Sequence, residues 1–187
     1  MKALSTLALA AITLISTAAV QAAEVYPKMY DATYECQSMA GKSTMRLISD
    51  GKGKMRCESG GAGYKVVSIT DYPAKTTWSI MDAQKMITKM ALKDPYEGKI
   101  DTNWVKKKHA KDLGTKVIAG KNCHGYSYNE KGTDTEMWVD ESGELMVKSI
   151  SKTGGQTTTV TMISSNPAAP AASMFVVPTT GYKLTSY

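Results

Sequence analysis

Residues 30–92 read YDATYECQSMAGKSTMRLISDGKGKMRCESGGAGYKVVSITDYPAKTTWSIMDAQKMITKMAL, and short runs of alternating apolar and polar residues are separated there by turn residues. The turns are rich in glycine, with proline and aspartate, which favours local hairpins over parallel crossovers. We therefore predict an antiparallel meander. Its six strands are Tyr30–Ala40, Ser43–Ser49, Lys54–Ser59, Tyr64–Asp71, Thr76–Asp82 and Lys85–Leu92.

The pattern of short strands resumes in the second half of the chain. Together the two halves give about ten or eleven strands, and an antiparallel sheet of that width curls into a barrel or half-barrel. The fold class is therefore mainly β with a few helices: a single curled antiparallel sheet that forms an incomplete barrel, covered by one or two helices. The later strands are Thr115–Ile118, Gly125–Glu130, Thr135–Asp140, Glu144–Lys152 and Gln156–Ser164, and the apolar tail Met174–Leu184 is expected to dock on the sheet.

One helix is predicted between the two runs of strands. Asp101-Thr102-Asn103 can cap it, Trp104 and Leu113 lie within it, and Gly114 is expected to end it. A helix in this position would cover one face of the sheet as a lid.

The first 22 residues have the features of a secretory signal peptide. Lys2 supplies a positive end, residues 3–20 are apolar or small, and Val20-Gln21-Ala22 is an acceptable cleavage site. No cysteine sits at the cleavage point, and the first in the chain is Cys36, which argues against a lipid anchor. Residues 23–187 are then long enough for one domain, and we expect it in the periplasm or secreted.

The charge of the chain is moderate. There are 23 Lys and Arg residues against 17 Asp and Glu, a net charge of +6 that becomes +5 once Lys2 is removed with the signal peptide. Basic residues cluster only at Lys106–His109 with Lys111, and a solvated helix face explains that run better than an anion site. We expect no nucleic-acid partner. Contact with envelope proteins or an anionic membrane surface stays open, and the protein is expected to be a monomer.

Three cysteines in an exported chain allow one disulfide and one spare thiol. A two-residue turn at Gly41-Lys42 would place Cys36 opposite Leu47, with Cys57 in the same cross-strand row. Two strands apart is roughly 9.5 Å, so a Cys36–Cys57 bond would need a bulge or a bent edge. Cys123 competes for either partner, and the pairing stays open.

The chain is unusually rich in methionine, with 12 Met against a single Phe, Phe175, and several of these methionines lie on the predicted strands. Methionine fills irregular cores, and it also lines surfaces that accept varied apolar ligands. Three interpretations follow: an ordinary filled core, a cavity for a lipid or acyl chain, or a thioether copper site with His109 or His124. The candidates to line a cavity are Met45, Leu47, Met55, Trp78, Ile80, Met86, Met90, Trp104 and Trp138.

Catalytic signals are weak in this sequence. Cys123 and His124 are adjacent on a predicted strand, so their side chains should point to opposite faces and form no dyad. The His and Cys spacing matches no zinc pattern, and Gly60–Gly63 joins two strands without a helix N-terminus for phosphate. We expect a non-enzymatic protein without a cofactor.

Several short motifs resemble an exported bacterial domain family of uncharacterised function. They are Gly53-Lys54-Met55-Arg56, Ile69-Thr70-Asp71, Gly120-Lys121-Asn122-Cys123 and the tail Phe175-Val176-Val177-Pro178-Thr179-Thr180-Gly181-Tyr182. That family is similar in fold to LolA and LolB, periplasmic carriers of lipoproteins. The resemblance implies an incomplete antiparallel barrel whose apolar concave face is covered by helices and receives acyl chains.

The expected function is therefore an exported carrier or sequestering protein for a lipid, acyl chain or other apolar ligand. Two alternatives remain: an envelope protein with a structural or protein-binding role and a filled core, and a periplasmic copper-binding protein.

Overall fold

The structure is a computed structural model, and it describes residues 26–61, 63–94, 96–97 and 99–187. The predicted signal peptide at residues 1–22 lies outside the described residues. The strands are β1 Tyr30–Ser38, β2 Gly41–Ser49, β3 Lys54–Gly61, β4 Tyr64–Asp71, β5 Thr76–Met81, β6 Met86–Ala91, β7 Lys111–Ile118, β8 Lys121–Glu130, β9 Thr133–Asp140, β10 Met146–Thr153, β11 Gln156–Asn166 and β12 Lys183–Ser186. One helix, α1, spans Thr102–Lys108, and a 3-10 turn spans Ala172–Phe175.

All twelve strands form one sheet, in the order β12-β6-β5-β4-β3-β2-β1-β11-β10-β9-β8-β7. Two meanders, β1 to β6 and β7 to β11, join along the β1–β11 pair. The sheet does not close, so β12 and β7 are its two edges, and the predicted incomplete barrel is confirmed. The tail docks on the sheet as predicted, and it adds a strand that the sequence did not reveal, because β12 pairs in parallel with β6.

The register of the first hairpin differs from the prediction. The turn falls at Met39-Ala40 rather than at Gly41-Lys42, with the Ala40 N–H donating to Ser38 Oγ at 3.2 Å. Gly41 follows with φ of +107°, a conformation open to glycine. Cys36 therefore lies opposite Ser43 instead of Leu47.

The helix is shorter than predicted. Its cap is confirmed, since Asp101 Oδ1 accepts from the N–H groups of Asn103 and Trp104 at 2.8 and 2.9 Å. It ends at His109, whose φ of +50° is left-handed. Residues 111–118, which include Leu113 and Gly114, instead pair with β8 as strand β7, because a sheet ladder satisfies their backbone groups where few apolar residues favour a helix.

Cross-strand pairing assigns the side chains of β1 to β6 to two faces. The front face carries Tyr34, Met45 and Cys57, and the back face carries Arg46 and Ile69. A buried cluster surrounds Tyr34 and includes Ala32, Val147, Met162, Cys123 and Trp138. A second cluster lies on the back face of β4 to β6, with Val67, Ile69, Ile80 and Ile87 packed against Trp78, Val177 and Tyr182.

Each face is crossed by one connection. The described part of the β6–α1–β7 connection passes over the front face, where Tyr96 packs against Tyr72 at 5.3 Å between ring centroids and Trp104 contacts β8. The C-terminal tail passes over the back face, where Arg56 donates to the Met174 carbonyl at 2.9 Å. No helix in the described part of the chain has the length and apolar character needed to cross a membrane.

Candidate functional site

The nine residues predicted to line a cavity do not share one face. Five of them lie on the front face, at Met45, Leu47, Met55, Met86 and Met90. Trp78 and Ile80 lie on the back face, in the cluster beneath the C-terminal tail. The last two, Trp104 and Trp138, belong to α1 and β9.

The front face of β4 to β6 is not continuously apolar. One cross-strand row runs through Ser68, Ser79 and Thr88, all of them small, and continues to Cys57 on β3. The larger aliphatic side chains of the same strands point backwards and are buried under Val177 and Tyr182. The tail therefore covers two of the nine predicted cavity residues, Trp78 and Ile80.

Trp104 fixes α1 to the sheet. Its side chain is buried, and its ring meets those of Tyr126 and Tyr128 edge-on, at centroid distances of 6.1 and 5.2 Å. Both tyrosines lie on β8, so this contact holds the helix above that strand. Aromatic pairs in this geometry contribute roughly 0.5–1.5 kcal/mol beyond their buried area.

A cleft of about 500 Å³ opens beside this contact, and we call it the front cleft. Ile100 and Lys99 of the crossing connection border it, and strands β7 to β9 supply the remaining wall. Val117 lies in this cleft and is 68% exposed although it is aliphatic. Its other apolar lining residues include Ile100, Tyr126, Val139 and Cys123, and its polar ones include Thr115, Asn122, His124 and Asp140.

The histidine in the front cleft is held by two contacts. His124 Nε2 lies 2.8 Å from Asp112 Oδ1, and the imidazole stacks on Tyr126 at 4.9 Å. Bonds from the Gly114 N–H and from His124 lower the pKa of the Asp112 carboxyl below its ordinary value. The His124 imidazole is therefore held in one orientation beside the apolar side chains of the cleft. Small-molecule sites commonly combine a fixed polar group with an apolar wall in this way.

Cys123 is buried, and its thiol lies 3.3 Å from the Lys121 carbonyl. Burial raises the pKa of this thiol, so the protonated form is favoured. A thiolate nucleophile activated by His124 does not fit this environment. In the part of the chain that the structure describes, no group of three or more His, Cys, Asp or Glu side chains could hold a metal ion.

All three cysteines are free thiols in the structure. Cys57 pairs with Leu47, and Leu47 pairs with Ala32 on β1. Ala32 is four residues along β1 from Cys36. That offset corresponds to about 13 Å along the strand, in addition to roughly 9.5 Å across two strands. A disulfide needs Cα atoms within about 7 Å, so Cys36 and Cys57 are not placed to form one.

Comparison with solved structures finds other proteins that superimpose on this fold. An uncharacterised conserved protein from Thermus thermophilus superimposes with a TM-score of 0.65 and 9% identity, over 86% of this chain and 91% of the other. MucB, in the MucA/MucB complex of Pseudomonas aeruginosa, superimposes with a TM-score of 0.55 and 17% identity. The superposition includes 80% of this chain and 56% of MucB, so this chain spans only about half the length of MucB. Structural neighbours also include a LolA superfamily protein from Nitrosomonas europaea, at a TM-score of 0.44, 9% identity, and 82% and 93% coverage.

At these identities the likenesses establish the fold alone. No protein-family model and no curated protein sequence matches the chain. The chain thus has an open half-barrel fold of the kind seen in MucB, with a partly apolar cleft on the front face.

Proposed function

We propose that this protein is an exported, non-catalytic binding protein that holds an apolar ligand, such as an acyl chain, in the front cleft. Residues 1–22 would direct export, and residues 23–187 would form one domain. The observation that carries the proposal is Val117, an aliphatic side chain that is 68% exposed inside a concave site. Single exposed apolar residues are ordinary on a surface, whereas one in a cleft is available to a ligand.

The size and lining of the front cleft support a small ligand. Its volume of about 500 Å³ lies within the range of known ligand sites, about 300–1,000 Å³. Ile100, Val117 and Val139 supply apolar wall, and Tyr126 adds a ring supported from behind by Trp104. Among the predicted cavity residues, Trp104 contacts Tyr126 of this wall, and the centroid of the Trp138 ring lies 3.7 Å from Nζ of Lys116, which also lines the cleft. A ligand role for all nine stays a prediction.

Displacement of an apolar fluorescent probe by palmitate would test the proposal. Val117→Arg places a charge on the cleft wall, and we expect at least tenfold weaker binding of the probe, or about 1.4 kcal/mol. Ile163→Arg is the matched control, because Ile163 is 62% exposed and lies outside the cleft lining. Equal losses in the two variants, or no displacement by palmitate, would contradict the proposal.

Native mass spectrometry of protein purified from its own host would address the identity of the ligand. We expect a copurified acyl-containing species that is depleted in Val117→Arg. Protein that is free of any adduct, together with failure of the probe assay, would leave the apolar-ligand function without support.

A protein partner is the second candidate. Strand β7 is an edge of the sheet, so within the described residues its outer backbone groups have no strand partner. Exposed edges of this kind can accept an extended segment of another chain. The structural neighbour MucB was solved in complex with MucA. Crosslinking in the native host would favour this function if it recovered one dominant protein and no bound lipid.

A further inference from the structure

A second and larger cleft lies on the back face, and we call it the back trough. Its volume is about 680 Å³, and strands β1 to β4 line it. An adjoining cleft of about 420 Å³ shares Thr33 and Arg46 with it, so the two clefts are neighbours on the sheet. The wall of the back trough is made mostly of charged and hydroxyl-bearing side chains.

The floor of the back trough is formed by a glycine. Gly60 lies between Thr44 and Lys65 in one cross-strand row. A Cβ at Gly60 would meet the Tyr64 carbonyl at 2.8 Å, so the backbone approaches too closely for a larger residue. Gly60 therefore adds no side chain to the row between Thr44 and Lys65.

The charges around this floor are paired with one another. Arg46 donates from Nε and Nη2 to both carboxylate oxygens of Asp31, at 2.8 and 2.6 Å. Lys42 bonds Glu35 at 3.1 Å, and Lys65 lies 3.7 Å from Glu58. Three cations and two anions line the trough, so its net charge is only +1.

Glu58 is the central anion of this network. Burial acts to raise the pKa of its carboxyl, but the hydrogen bond from Arg56 and the charges of Arg56, Lys65 and Arg46 outweigh burial and lower it. The side chain is therefore ionised at neutral pH and serves as an acceptor held in a fixed position, since Arg56 Nε bonds Oε1 at 2.7 Å.

This lining discriminates between classes of ligand. An anion would face Glu35 and Glu58, and a cation would face Arg46, Lys42 and Lys65. An apolar ligand would remove water from paired charges, which is costly. A neutral ligand with many hydroxyl groups suits the site, because each hydroxyl both donates to carboxylates and accepts from guanidinium or ammonium groups.

We propose that the back trough binds a neutral oligosaccharide, with Gly60 as its floor and Glu35, Thr44, Arg46, Glu58 and Lys65 as hydrogen-bonding walls. The volumes of the two neighbouring clefts, about 680 and 420 Å³, favour several sugar units over one. This site is on the opposite face from the front cleft, so the two proposals can fail independently.

An NMR titration of ¹⁵N-labelled protein with cellotetraose, maltotetraose and chitotetraose would test this. We expect at least one of them to shift the amide signals of Thr44, Gly60 and Gly61 in a saturable manner. Thr44→Trp fills the trough from an exposed position and should weaken binding at least tenfold. Thr157→Trp is the matched control, since Thr157 is an exposed threonine on β11 outside the trough.

A second variant avoids added bulk. Glu35→Ala removes one acceptor from a side chain that is 43% exposed, and we expect binding weakened about threefold or more. The proposal would be overturned if none of the three sugars shifted these amides at about 10 mM, which would detect a Kd near 1 mM. It would also be overturned if Thr157→Trp lost as much affinity as Thr44→Trp, or if Glu35→Ala bound normally.

Discussion

The indole ring of Trp138 lies directly over Gly125 on the neighbouring strand. A Cβ built at Gly125 would be 2.6 Å from ring atoms Cη2 and Cζ3, so glycine is what lets the ring lie there. Lys116 Nζ lies 3.7 Å from the centroid of the same ring, and the indole N–H donates to Glu136 at 2.6 Å. Trp138 is thereby buried within three strands at the β7 edge of the sheet.

We expect Gly125→Ala to destabilise the protein by about 1–3 kcal/mol, because the added methyl group forces the Trp138 ring to move. Urea denaturation gives the free energy of unfolding. In a Trp138→Leu background the same substitution should cost less than about 0.5 kcal/mol, since the clash is removed. An equal cost in both backgrounds would show that the contact does not explain the effect.

We expect Phe175 to account for most of the stability that the C-terminal tail gives to the protein. This ring is 8% exposed, whereas the adjacent Val176 is 64% exposed. Phe175→Ala should lower the free energy of unfolding by about 3–5 kcal/mol, because it leaves a cavity in packed surroundings. Val176→Ala should change it by no more than about 0.5 kcal/mol. Comparable losses in the two variants, measured by urea denaturation, would argue against a docked tail.

Removal of the helix cap should loosen α1. Asp101→Ala loses both bonds to the N–H groups of Asn103 and Trp104 and should cost about 1 kcal/mol. Asp101→Asn retains an acceptor and serves as the control. Amide hydrogen exchange at Asn103 and Trp104 should accelerate in the alanine variant alone; unchanged exchange would contradict the capping role.

Stability should fall at alkaline pH. Burial, together with nearby Tyr72 and Glu144, raises the pKa of Tyr96 from 10.0 to about 12. The folded state therefore keeps the phenolic proton to higher pH than the unfolded state, and this contribution is complete below pH 10 and lost as pH rises to about 12. Burial raises the pKa values of Tyr30 and Tyr34 as well, with the same sign.

Urea denaturation between pH 8 and 12 would measure this loss, with Tyr96→Phe as the test variant. We expect its stability to decline less steeply over about pH 10–12 than that of the unaltered protein. Tyr64→Phe, at a tyrosine that is 57% exposed, should follow the unaltered protein. A decline unchanged by Tyr96→Phe would show that other groups cause it.

The strands were predictable from local chemistry. Period-two alternation marks a strand, and turns such as Asp50-Gly51-Lys52 contain their own stabilising bond, from the Lys52 N–H to Asp50 Oδ1 at 2.7 Å. The first hairpin was predicted with the wrong register, because Gly41 could serve equally in the turn or as the first residue of β2. Leu113 was predicted to lie in the helix and Gly114 to end it, but both belong to β7. That strand forms by pairing with β8, which lies further along the chain, so the local sequence did not indicate it.

The candidate ligand sites were not predictable in the same way. Ile100, Val117 and Val139 come from three separate parts of the chain and have no shared local motif. The polar row through Thr44, Gly60 and Lys65 likewise requires the register of three strands. The cavity prediction assumed that only one face of the sheet is buried. Trp78 and Ile80 lie on the opposite face from the front cleft, and the C-terminal tail covers them there.

The sequence by itself therefore determined the meander, the capped helix and the curled sheet, because turn residues and alternation act between near neighbours. Only the tertiary structure decided which face each connection covers and which side chains are left to line a cleft. The physical reason is that alternation sorts residues onto two faces without distinguishing them, and burial by distant segments such as Val177 and Tyr182 makes the choice.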